Sequence, residues 1–181
     1  MLVQVQPGAK NFMDVEKAIK KRRSIRDFQE KPLTKEIEEK LIQALIWAPS
    51  AGNLESRKFY LIKDEKIKKE IAKATFGQNF VLKAPLIVVG CIDKNIARHY
   101  GKRGLELYAI CDVACAIENL MLQAVELNLG TCFIGAFDEG LVSQILNLPS
   151  NLRPIAIVPV GFPNEKPSPP PRDIKKEIAI F

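Results

Sequence analysis

An α+β fold, one sheet packed under helices around a long buried helix, is predicted by three features of the sequence. Pro85 to Ile92 is a near-continuous β-branched run, the composition of a strand covered on both faces. Tyr108 to Gly130 is the most apolar long stretch. Asp112, Glu118, Asn119, Gln123 and Glu126 interrupt it too often for a membrane span, so it reads as a buried helix of a soluble protein. Helical periods crowd into the first part of the chain, and strands do not alternate with them as a doubly wound sheet requires.

Taken in order, Phe12, Val15, Ala18 and Ile19 share one face of a first helix, which runs into a basic knot, Lys21-Arg22-Arg23-Ser24-Ile25-Arg26. Thr34 caps a second helix, with Glu36 favouring the dipole in its first turn. Its apolar positions Ile37, Leu41, Ala44, Leu45 and Ala48 keep helical spacing until Pro49 ends it. The small-residue loop Ser50-Ala51-Gly52-Asn53 leads to a strand at Phe59 to Ile62, and Asp64 to Ala74 is a charged helix with Ile67 and Ile71 facing inward. The central helix, about Tyr108 to Leu129, stops at Asn128 and Gly130, which suit a C-terminal cap. Thr131 to Phe137 is a short strand, Asp138 caps a helix through Leu148 that Pro149 ends, and Ile155 to Gly161 is a last buried strand. The tail after Phe162 holds five prolines, then Arg172 and the apolar end Ile178-Ala179-Ile180-Phe181. It reads as an arm whose end a partner subunit would bury.

With 181 residues, 47% hydrophobic and 27% charged, the chain can build a real core and is too apolar for disorder. A net charge of +6 fits a nucleic-acid surface, a phosphate-bearing cofactor or simple solubility. The arginines gather at a helix end rather than on one face interleaved with aromatics, which disfavours nucleic acid. The N-terminal MLVQVQPGAK lacks a basic region followed by an apolar block, so a cytoplasmic location with no membrane contact is expected. The four cysteines, Cys91, Cys111, Cys115 and Cys132, lack zinc-ribbon spacing and lie among apolar residues that favour packing over a disulfide or metal. With His99 the single histidine, a His-rich metal site is impossible, and chemistry carried by a bound cofactor gains weight.

Arg22, Arg23, Ser24 and Arg26 put three guanidinium groups and a hydroxyl within five residues, suited to gripping a phosphate or a planar carbonyl edge. A solvated helix C-terminus has the same composition. Ser50 to Asn53 lets backbone approach a ligand closely, with an amide to meet a heterocycle edge, and equally makes an ordinary helix-to-strand turn. Gly130-Thr131-Cys132-Phe133-Ile134-Gly135 is a similar case, with glycines able to expose amides.

The combination is more specific than its parts. RRSIRDF, APSAGN, LGTCFIG and PVGFP followed by Arg172, in that order over residues 12–172, resemble the nitroreductase family of flavin enzymes. The resemblance implies an α+β fold with a mostly antiparallel central sheet flanked by helices, a long buried central helix and an extended C-terminal arm. It divides the chain into an extension at 1–11, an FMN-binding domain at 12–172 and an arm at 173–181 on the partner subunit. It implies a homodimer with FMN at the subunit interface. Arg22, Ser24 and Arg172, with Arg23 nearby, would hold the phosphate, and Arg26 would reach the ribityl chain or the N1/C2 carbonyl edge. Asn53, with Ser50 close by, would meet the ring edge from the partner, and backbone amides at Ile134 and Gly135 would face N5/O4. The implied activity passes hydride from NADH or NADPH through flavin N5 to an electron-poor small molecule such as a nitroaromatic or quinone, in alternating half-reactions. A specialised flavin reductase or dehalogenase, or an FMN-binding redox sensor or carrier, is the alternative.

The chain departs from the family where the asparagine loop often continues Asn-x-Gln-Pro-Trp. Here it reads Asn53-Leu54-Glu55-Ser56-Arg57, and no cofactor role passes to Glu55 or Arg57. The large insertion that often covers the substrate pocket is also missing, leaving the pocket open or covered only by the segment at 93–108. His99 within it reads as exposed or as part of a lid, and Trp47 as core or interface filling.

Overall fold

The computed structural model describes residues 14–173 and 177–179. The extension at 1–11, Phe12 and the last two residues of the arm fall outside the described residues. A four-stranded antiparallel sheet forms the middle layer, in the order β1-β2-β4-β3: β1 (Arg57–Ile62), β2 (Leu86–Asp93), β4 (Leu152–Gly161) and β3 (Gly130–Thr131). Helices cover both faces. On one lie α2 (Lys35–Ile46) and the central helix α5 (Ala109–Glu126), and on the other α3 (Glu65–Ala74) and α6 (Glu139–Ile145). The α+β class with its long central helix is therefore as expected.

Strand β2 is the spine. Leu86, Val88 and Ile92 point to the α5 side and Ile87, Val89 and Cys91 to the α3 side, all fully buried. Burying such a side chain contributes about 1.5–3 kcal/mol, so a strand with both faces covered anchors the whole fold. Helix α5 descends onto β2 at Gly90, where a β-carbon would stand 2.8 Å from Val113, and Val113, Ile117 and Leu120 are fully buried there.

The helix ends follow their caps. Thr34 accepts the Ile37 amide at 3.3 Å, Asp64 accepts those of Lys66 and Ile67, and Asp138 accepts that of Leu141. At the end of α5, Asn128 takes φ 59°, its N–H donates to Val125 at 3.1 Å, and Leu129 donates to Ala124 at 2.7 Å. That double closure is a Schellman cap with asparagine in the glycine role. Helix α6 ends at Ile145, short of Leu148, because Asn147 turns to φ 47°.

Four expectations need correction. The strand from Thr131 to Phe137 is reduced to Gly130–Thr131, because the chain leaves the ladder after Thr131 and returns only as an isolated bridge from Ile134 to Ile157. In α3, Ile67 is exposed and Lys68 takes the inward place, its stem buried and its ammonium 2.8 Å from Glu65. Cys111 and Cys115 are exposed on the outer face of α5, while Cys91 and Cys132 are buried. Trp47, 80% exposed, fills no core.

Two features had no counterpart in the sequence reading. A short helix α4 (Ala97–Arg103), kinked at Gly101, and a π-turn at Gly104–Tyr108 precede α5. Helix α1 (Val15–Lys21) buries Ala18 but leaves Val15 and Ile19 exposed. Among the described residues, no helix is long and apolar enough to cross a membrane.

Candidate functional site

Helix α1 ends at Arg22, whose backbone turns extended at φ −55° and ψ 127°. The chain then runs beside β3: Ser24 bridges Thr131 in parallel, and the Ile25 amide donates to the Thr131 carbonyl at 2.9 Å. Ile25 lies so close to Gly130 that a β-carbon there would stand 2.5 Å from it, so Gly130 serves packing rather than ligand approach. The tail is stitched to the same stretch. Gln29 donates to the Phe162 carbonyl and Asn164 to the Asp27 carbonyl, each at 2.9 Å, and the Arg26 amide donates to the Glu165 carboxylate.

The tail then folds back beside α1. Arg22, Arg23 and Lys20 meet Arg172 around one cavity of about 550 Å3, roofed by Pro169 and Pro170. The carboxylate bordering it is Glu118 of α5, whose Oε1 is 3.8 Å from Arg22 Nε. Arg23 donates through Nη1 to the Arg22 carbonyl at 2.6 Å. The structure thus gathers Arg22, Arg23 and Arg172 in one place, with Ser24 and Arg26 following directly along the chain. Next to them, burial pushes the Cys132 thiol up from its ordinary value, against the pull of the Arg26 charge and a hydrogen bond with Ser24.

Ile134 and Gly135 differ. The Ile134 N–H donates to the Ile157 carbonyl at 2.9 Å and the Ile134 carbonyl accepts the Ile157 N–H at 2.9 Å, so that amide is not available to a ligand, which corrects the expectation for that position. Gly135 is exposed; a β-carbon there would meet nothing nearer than the Phe133 ring edge at 3.9 Å, and its amide has no acceptor among the described residues. Nothing in this chain requires glycine at 135, and the space beside it lies open.

The loop Ser50 to Asn53 is tied down elsewhere. Gly52 and Asn53 adopt φ 58° and 53°, in the left-handed region that glycine and asparagine tolerate. Ser50 Oγ accepts the Glu55 amide at 3.0 Å, which fixes Glu55 at φ 50°. Buried Asp112 accepts the Ala51 amide through Oδ1 at 2.9 Å, while its Oδ2 is buried without a partner. Arg57 donates to the Ala48 and Pro49 carbonyls at 2.6 Å and to that of Asp112 at 3.3 Å, closing the end of α2. The Tyr100 hydroxyl rests against Gly52, so the segment before α5 covers this loop, with Tyr108 edge-on to Tyr100 at 5.3 Å. Asn53 itself stays exposed, as does His99 on α4.

The structure does not bring Ser50 and Asn53 to the arginine cavity. They hang on Asp112 in the first turn of α5, whereas Arg22 meets Glu118, about 9 Å further along the helix axis, and Ile25 meets Gly130 beyond its end. Sequence reasoning missed Asp112 and Arg57 as supports of the loop. A carboxylate in an otherwise apolar helix was a signal for Asp112; Arg57, just after a proline-stopped helix, gave none.

The family profile described as the nitroreductase family matches residues 19–90 and 77–162 of the chain. A protein of Archaeoglobus fulgidus, provisionally named an NADH dehydrogenase/NAD(P)H nitroreductase, is 30% identical over 155 residues, which are 83% of this chain and 86% of the relative. Nitroreductase A from Vibrio parahaemolyticus superposes with a TM-score of 0.85 at 26% identity, over 93% of this chain and 76% of that one. The NADPH:FMN oxidoreductase from Vibrio harveyi, solved in complex with NAD+, superposes with a TM-score of 0.80 at 28% identity, over 87% and 72% of the respective chains.

Proposed function

Since the chain belongs to the nitroreductase family, we propose that it is an FMN-dependent oxidoreductase. It takes hydride from NADH or NADPH and passes it to an electron-poor small molecule such as a nitroaromatic or quinone. The observation that carries this reading is the convergence of Arg22 and Arg23 with Arg172, from the far end of the sequence, on one cavity.

The residues present fit a flavin mononucleotide. Three guanidinium groups line the cavity with Glu118 at its border and Lys20, itself paired with Glu16, beside them, an excess of positive charge that favours a phosphate dianion. Gly135 leaves an open cradle where a flat ring can approach the backbone. When bound, FMN supplies the hydride relay at N5. Arg22, Ser24 and Arg172, with Arg23, would bind the phosphate. Arg26 would bring its charge to the ribityl chain or to the carbonyl edge of the ring, where it would favour the reduced anion, and the Gly135 amide would be free to donate to the ring. No protein nucleophile is called for, which agrees with a chain whose single histidine is exposed.

The second half of the site comes from a second copy. Asn53 and Ser50 are presented at the other end of α5 from the arginines, and Val15, Ile19 and Trp47 are left exposed on α1 and at the end of α2. A homodimer buries that face, carries each Asn53 loop to the partner's arginine cavity and receives the arm beyond Arg172. The deciding experiment is the visible spectrum of the purified protein, before and after anaerobic addition of NADH or NADPH. A flavin spectrum bleached by one nucleotide is expected. A colourless protein that takes up no added FMN would return the arginines to a solvated helix end.

A further inference from the structure

We propose that Glu118 is a built-in competitor for Arg22 that keeps the phosphate-bearing flavin exchangeable, an inference that rests on the cofactor reading above. Two kinds of arginine–glutamate pair occur in this molecule. Arg153 grips Glu139 with two parallel bonds, Nε to Oε2 at 2.7 Å and Nη2 to Oε1 at 2.8 Å, the geometry of a pair that fixes structure. Glu118 touches Arg22 at a single point, Oε1 to Nε at 3.8 Å, too long for a hydrogen bond. The pairing leaves the fork of the Arg22 guanidinium without an acceptor, so Glu118 does not lock that side chain in place.

Position makes the loose pair consequential. Glu118 stands at the border of the cavity where Arg22, Arg23 and Arg172 converge, as the carboxylate among those cations. It projects from α5, whose neighbouring turns are buried in the core, so its backbone is fixed at the border of the cavity. Within one chain both side chains keep solvent contact, 27% for Arg22 and 47% for Glu118, so the pair is held by little more than its charges. A phosphate dianion brings more charge and three acceptor oxygens, and it displaces the carboxylate from Arg22 without any covalent change. Once bound, it lies beside the negative charge it displaced. Glu118 therefore weakens retention of the cofactor and speeds its release, and the flavin behaves as an exchangeable carrier rather than a permanent group.

The test measures dissociation constants for FMN and for riboflavin, by quenching of flavin fluorescence, on the wild-type protein, Glu118→Gln and Glu118→Ala. Both variants are expected to bind FMN about fivefold more tightly, the size of one contact charge removed in a solvent-exposed setting. Riboflavin, which lacks the phosphate, should bind all three proteins alike. FMN affinity that is unchanged or weakened in both variants overturns the proposal and makes Glu118 a bystander or a support of Arg22. Equal tightening for riboflavin also overturns it, since the effect would then not act through the phosphate. If neither wild type nor variants bind FMN, the cofactor reading itself fails.

Discussion

At the end of α1, Arg22 and Arg23 meet Arg172 from the far end of the chain, and Glu118 stands only loosely against Arg22. The loop from Ser50 to Arg57 is the reverse case. Its hydrogen bonds come from Ser50 and Arg57 within the loop and from Asp112 of α5, its backbone adopts three left-handed conformations, and Arg57 closes the neighbouring helix end. One half of the candidate site is assembled over long range around loosely held charges. The other is set by hydrogen bonds within the loop and to Asp112 of α5, and it leaves Asn53 exposed. A charged pocket adapts to its ligand at low cost in stability, whereas a loop that must place an amide against a ring edge has to be fixed beforehand.

The contrast makes opposite demands on substitution. Arg57→Ala removes charge-assisted bonds to several carbonyls at once, and a loss of about 3 kcal/mol of unfolding free energy is expected in urea titration. Arg22→Ala should leave stability within about 0.5 kcal/mol and weaken FMN binding on the order of 30-fold in fluorescence titration. If Arg22→Ala unfolds the protein as readily as Arg57→Ala, the two halves do not differ as described.

Gly52→Ala is sharper in geometry and smaller in size. It sets a β-carbon at φ 58° and against the Tyr100 hydroxyl, and should cost about 1–2 kcal/mol. Adding Tyr100→Phe should recover the steric part and leave the backbone part, a split that a double-mutant cycle measures.

The smallest effect concerns how the tail is fastened near the arginine half. Hydrogen bonds from Lys83 and Asn164 hold the Asp27 carboxyl below its ordinary value. A carboxyl with a depressed folded-state pKa contributes stability above its unfolded pKa and loses it as pH falls through the folded one. The melting temperature should therefore decline through the acid carboxylate range, and Asp27→Asn should reduce that decline. An identical pH profile in the variant would detach Asp27 from the tail's stability.

How much of this was legible in the sequence depended on how local each cause was. The Thr34 cap, the buried run of β2 and the stop of α5 at Asn128 are written in single residues, and they appear where expected. The stretch after Thr131 has strand-forming residues, yet pairing depends on a neighbour, and β4 offers one only at Gly130, Thr131 and Ile134. In α3, Ile67 and Lys68 are adjacent, and the periodicity did not say that a lysine stem would be buried in place of an isoleucine. The exposure of Cys111, Cys115 and Trp47 was hidden for another reason: an apolar residue on an exposed helix face has the same spacing as one in the core. In the site, the arginine cluster was visible as composition, while the support from Asp112 and Arg57 crosses between elements and leaves no spacing to read.

The separation of the two half-sites along α5 also has a genetic consequence. In the proposed homodimer each catalytic centre draws its arginines from one gene copy and its asparagine from the other. A chain impaired at Arg22 and a chain impaired at Asn53 would each fail alone. Co-expressed, they would form mixed dimers in which one centre carries both lesions and the other none. Two inactive alleles would then complement each other, restoring one working centre in each mixed pair.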